Sequence, residues 1–226
     1  TRIDLLHRLE RGYVKTDEVS ELIRLRRAEL AVVPQAFTRD RSAIQLDIAG
    51  LATRDHIPEV ELAEIYKSVL DTDPHIRLAL LHLESIVRRS GPSLELAKLE
   101  ETIATYFEGD PRAQAAFWTR AGETLAEVGQ IDEAVQRFGK AEAVLPGHVP
   151  ALEGWRQAAL KGALWIDVAE AATRQAAASS DDDTKARLHH FAGVALMDKG
   201  LVGEQAMQSF RRALDADPAH RDSFLR

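Results

Sequence analysis

The residues of this chain that could do chemistry are few. His189 and His190 are adjacent, His75 and His82 lie seven apart, and three aspartates run from Asp181 to Asp183. Two neighbouring residues on a helix point about 100° apart, so His189 and His190 do not share one metal ion. Seven residues along a helix is roughly 10 Å, too far for His75 and His82 to chelate one ion by themselves. The aspartates read as an acidic turn capping a helix that begins near Thr184, where carboxylates satisfy free backbone N–H groups. The chain has no Cys, which excludes disulfides, thiolate metal sites and a Cys nucleophile. No nucleophile elbow, phosphate loop, dinucleotide fingerprint or zinc-protease helix is present. The chemistry therefore implies neither an enzyme nor a cofactor nor a metal.

The composition agrees. Of 226 residues, 45% are apolar and 29% charged, which is ordinary for a packed protein. The net charge of −7 disfavours nucleic acid as the main partner. No apolar run is long enough for a membrane span. Arg outnumbers Lys 22 to 7, pointing to a GC-rich, bacterial genome. No signal-peptide pattern opens the chain. A cytoplasmic location is expected, with the periplasm left open. Thr1 in place of an initiator Met reads as an internal cut or a processed end.

The elements that would position any site announce themselves by repetition. Ala134, Phe138, Ala141 and Pro146 are spaced 4, 3 and 5, and so are Ala206, Phe210, Ala213 and Pro218. The same frame fits Leu62, Tyr66, Val69 and Pro74; Leu99, Ile103, Tyr106 and Pro111; and Ala169, Thr173, Ala176 and Asp181. Spacings of 4 and 3 fall on one helical face, and the trailing Pro stops the helix. Tyr66, Tyr106, Phe138 and Phe210 are thus expected in the core, and so, off the frame, are Trp155 and Trp165.

A first helix precedes each frame. It carries a small pair, Ala49-Gly50, Ala121-Gly122 or Ala192-Gly193, and ends at Gly129 or Gly200. Gly within a helix costs about 1 kcal/mol relative to Ala, so its recurrence implies close approach of a neighbour. Pairs of helices repeated at a period of 35 to 40 residues build a solenoid.

These units resemble the tetratricopeptide repeat (TPR) family. The clearest match runs Trp118, Ala121, Gly122, Leu125, Gly129, Ala134, Phe138, Ala141, Pro146, with Ala and Leu where the family has Leu and Tyr. The second runs Ala192, Gly193, Leu196, Gly200, Ala206, Phe210, Ala213, Pro218. The implied fold is all-α, a right-handed superhelical α-solenoid of about five to six helix pairs. It forms a single domain over 1–226: a helical part at 1–42 without clear register, repeats at 43–218, and the start of a further helix at 219–226.

The resemblance implies a protein-interaction scaffold that binds an extended peptide or an amphipathic helix in a concave groove. The alternative is a regulatory or targeting segment of a longer enzyme. Groove positions carried over from the family are Asp47, Leu51 and Arg54; Ala79, Leu83 and Ile86; Ala116, Thr119, Arg120 and Glu123; and Arg187, His190, Val194 and Met197. Leu83 and His190 are expected to touch the partner. The clamp with which some relatives hold a C-terminal carboxylate is absent, since its places hold Thr119, Glu123, Ala79 and Leu83. Phe224 and Leu225 follow the last frame without a polar cap, so the natural protein is expected to continue past Arg226 and this end to form a homodimer contact.

Overall fold

Residues Leu9 and Tyr13, 18–198 and 203–220 are described by a computed structural model. Among them are eleven helices and no strand: α1 (Val19–Val32), α2 (Thr38–Arg54), α3 (Glu59–Thr72), α4 (Arg77–Arg89), α5 (Leu94–Tyr106), α6 (Pro111–Glu127), α7 (Ile131–Val144), α8 (Val149–Lys161), α9 (Trp165–Ala178), α10 (Asp182–Asp198) and α11 (Gly203–Ala216). They divide into two compact units, Thr1–Gly91 and Pro92–Arg226. In each unit consecutive helices pack against one another, as short connections require of antiparallel neighbours. Gly200, Phe224 and Leu225, and with them the expected cap and C-terminal contact, lie outside the described residues.

Local signals start and stop these helices. Ser93 accepts from the Leu96 N–H at 3.1 Å, Asp110 from Ala113 at 3.2 Å, and Asp181 from Thr184 at 2.9 Å, opening α5, α6 and α10. The expected acidic cap is therefore Asp181 alone, and its hydrogen bonds to Thr184 hold its carboxyl below the usual range. Where a first helix turns into a second, the residue two past the helix end is left-handed: His56, Gly129 and Ala163, at φ 54°, 86° and 55°. The next N–H then closes back to a carbonyl five residues earlier, Ile57 to Ala52, Gln130 to Leu125 and Leu164 to Ala159.

The second helices share one frame, and it corrects two of the expected ones. α3, α7 and α11 bury Leu62, Tyr66 and Val69; Ala134, Phe138 and Ala141; and Ala206, Phe210 and Ala213. Each ends two residues before its proline, Pro74, Pro146 or Pro218. In α5 the matching set is Leu96, Glu100 and Ile103, because Tyr106 is 40% exposed and Leu99 only half-buried. Pro111 opens α6 instead of closing α5. In α9 the expected Ala169 and Ala176 are buried, but Thr173 between them is half-exposed and Ala172 is buried in its stead. α1 buries Leu22, Ile23 and Leu25.

The true period is two helix pairs. The first helices alternate between 17 residues (α2, α6, α10) and 13 (α4, α8). Tyr66, Phe138 and Phe210 follow one another at intervals of 72, while the intervening pairs place Glu100 and Ala172 at that position. The Ala-Gly pair belongs to the long first helices. A Cβ on Gly122 would lie 2.8 Å from the Phe138 ring, and one on Gly193 2.6 Å from the Phe210 ring. Both glycines thus admit the ring of the following helix. Gly50 does not: it is exposed and a Cβ there meets nothing within 4 Å. Trp155 is 7% exposed and belongs to the core, its indole N–H 3.4 Å from Asp167; Trp165 is half-buried.

Candidate interaction groove

In the second unit the expected groove positions lie on the first helices α6 and α10. On α6, Ala116 is half-buried and Arg120 and Glu123 are exposed. The Arg120 guanidinium lies 4.9 Å from the centre of the Phe117 ring, which stacks on Phe107. Thr119 has no surface to offer a partner. It is 4% exposed, and its hydroxyl donates to the Ala115 carbonyl at 2.8 Å.

α6 and α8 touch, and between them opens a cavity of about 340 Å³. Its lining is Glu123, Ala126 and Glu127 from α6, Phe138 from α7, and Gly154, Gln157, Ala158 and Lys161 from α8. The Lys161 ammonium donates to the Ala126 carbonyl at 2.8 Å, adding to the Gly129 N–H that this carbonyl already accepts at the end of α6. A Cβ on Gly154 would be 2.5 Å from the Phe138 ring, so the α8 backbone rests directly against it. The residues from α8 escaped the sequence reading because this unit keeps no Ala-Gly pair. The signal that finds them is the 72-residue register, which sets α8 on α4.

On α10, Arg187 is exposed and pairs with Asp183 at 2.8 Å. His190 is half-buried, its ring 5.5 Å from Phe210 and 5.1 Å from His220. Val194 and Met197 are half-buried against a cluster that includes Ala192, Leu196 and Phe210. Phe191, not foreseen as a site residue, packs on that cluster too, with the Arg156 guanidinium 5.6 Å from its ring centre. His189 points inward. Burial pushes its imidazole below the usual range, Arg212 adds to the effect, and its Nδ1 has no hydrogen-bond partner.

In the first unit the assignment needs correction. Asp47 is exposed, 3.4 Å from the Arg26 guanidinium; Leu51 is half-buried and Arg54 exposed. Ala79, Leu83 and Ile86 are buried, at 0%, 5% and 5% exposure. They form the packing stripe of α4, and Leu83→Asp would break the core instead of reporting on binding. The outward positions are one residue earlier, Leu78, His82 and Ser85. The exposed His82 ring stacks on Tyr66, with the ring centres 5.2 Å apart. Among the described residues no three His, Asp or Glu side chains are grouped as metal ligands, and no helix is long and apolar enough to cross a membrane. A cleft of about 530 Å³ lies at the end of α1, where Arg41 donates to the Leu30 and Val33 carbonyls and Arg27 pairs with Glu61.

No family model matches the chain, and no curated protein matches it. Several solved structures are similar. One is YrrB, described as a TPR protein with an unusual peptide-binding site, at 14% identity over 80% of this chain and 89% of that one, TM-score 0.43. A MamA protein aligns at 18% identity over 78% of this chain and 92% of that one, TM-score 0.48. MamA from Desulfovibrio magneticus RS-1 aligns at 22% identity over 65% and 78%, TM-score 0.42. The description of this chain as stacked helix pairs rests on its own frame and packing.

Proposed function

We propose that the chain is a protein-interaction scaffold. The face formed by α6, α8 and α10 holds an extended peptide or an amphipathic helix of another protein. The observation that carries this reading is the cavity between α6 and α8. Its lining comes from the first helices α6 and α8, with Phe138 the one residue that a second helix adds. Side chains there are spread along a surface instead of converging on a dry pocket, which suits recognition of a segment and not catalysis.

Selection of 12-residue peptides from a random display library, followed by titration of the winners, tests the proposal. Arg120→Glu and Val194→Asp should each weaken a selected peptide at least tenfold. Gln136→Glu, on the exposed side of α7, should change nothing. Equal sensitivity to all three would place binding elsewhere.

A further inference from the structure

The cleft at the end of α1 lies in the first unit and shares no residue with the groove on α6, α8 and α10. We infer that it binds an acidic side chain of a partner peptide, a glutamate flanked by apolar residues. Its volume is about 530 Å³, and its lining carries two guanidinium groups, Arg27 and Arg41, and no carboxylate. Arg41, on α2, is the centre of the site. Its Nη1 donates to the Leu30 carbonyl at 3.1 Å and to the Val33 carbonyl at 2.7 Å. These bonds hold the side chain against the C-terminal end of α1. Among the described residues no carboxylate pairs with this guanidinium. The carbonyl end of a helix carries about half a negative charge, so a net positive charge is left at Arg41.

A guanidinium has five N–H donors in a planar fork. With Nη1 on the carbonyls, Arg41 keeps the edge formed by Nε and Nη2, whose spacing matches the two oxygens of a carboxylate. Arg27 adds a second cation from α1. It meets Glu61 at 3.3 Å, but the two side chains are 54% and 52% exposed. Such a surface pair contributes little, so a ligand carboxylate can share Arg27 with Glu61. The walls beside the cations are apolar, formed by Leu30, Val32, Val33 and Pro34. Val32 is 48% exposed, and Phe37, two residues past the cleft-lining Gln35, is 56% exposed. Cations set in an apolar wall select an anion on an apolar stem, which is what a glutamate presents. Apolar residues on either side of it would cover Val32 and Phe37.

The test uses the whole chain and two tripeptides blocked at both ends, N-acetyl-Leu-Glu-Leu amide and N-acetyl-Leu-Gln-Leu amide, followed by backbone amide shifts. The Glu peptide should move the amides of residues 27–33 and 35–41 saturably, with a dissociation constant in the millimolar range expected of a fragment. The Gln peptide should bind at least tenfold more weakly. Arg41 also holds the end of α1, so the variants are made at the exposed ion pair, where the thermal melt should not change. Arg27→Gln should weaken the Glu peptide at least threefold. Glu61→Gln removes the competing carboxylate and should strengthen it at least threefold. Equal binding of the two peptides, shifts confined to other residues, or no gain from Glu61→Gln overturns the assignment. N-acetyl-leucine, whose only carboxylate is terminal, should bind more weakly than the Glu peptide. Tighter binding of N-acetyl-leucine would give the cleft to a chain terminus and overturn the side-chain assignment.

Discussion

The Phe138 ring occupies the place of a side chain that Gly122 does not have: a Cβ there would come within 2.8 Å of the ring. Gly193 and Phe210 repeat the relationship 71 and 72 residues on. Gly122→Leu should therefore destabilise by about 3 kcal/mol or more, since overpacking a filled contact displaces a buried ring. Gly193→Leu should behave alike. Gly50→Ala, by contrast, meets open space within a helix and should stabilise by about 0.5–1 kcal/mol. Denaturant titrations of the three variants check this, and equal midpoints would refute the account of the glycines.

Glu100 stands where Phe138 and Phe210 stand in other pairs, at 0% exposure, and accepts a hydrogen bond from the Thr124 hydroxyl at 2.8 Å. A buried carboxyl that loses a donor keeps its desolvation cost. Thr124→Val should thus cost about 1–3 kcal/mol. Restoring the hydroxyl with Thr124→Ser should recover part of that in the same melts.

These two positions show what was legible in the sequence. Aromatic slots flanked by Ala reveal the helix pairs, because Tyr66, Phe138 and Phe210 fall on an obvious frame. Where Glu100 or Ala172 fills the slot, the apolar pattern no longer marks it. The frame then slips, by three residues to Tyr106 and by one to Thr173. The groove suffered in the same way. Trp118 and Gly122 anchor α6, so its frame sets Arg120 and Glu123 at the surface, where they are. Leu83 was misplaced because α4 lacks such an anchor, and a slip of one residue turns a helix by about 100°, from surface to core.

Acid should weaken the fold before most carboxylates protonate. Burial lowers the folded-state pKa of His189, and also of His148, where Glu142 opposes the effect. The unfolded chain then binds more protons than the folded one near and below pH 6.5, the ordinary histidine value. The stability contributed by these neutral histidines is fully present above that pH and is lost as pH falls toward the folded values. Urea midpoints at about pH 7.5 and about pH 5.5 should differ, and His148→Gln with His189→Gln should shrink the difference. An unchanged difference in the double variant would remove the histidines from the explanation.

The central claim is that partners lie on the face of α6, α8 and α10. Amide chemical-shift mapping of the whole chain, titrated with a display-selected peptide, tests it most directly. The account predicts saturable shifts concentrated on Ala116, Arg120, Glu123, Gly154, Gln157, Arg187 and Val194, with the exposed sides of α7 and α9 unmoved. Shifts concentrated on α7 and α9, with those seven residues silent, would contradict it.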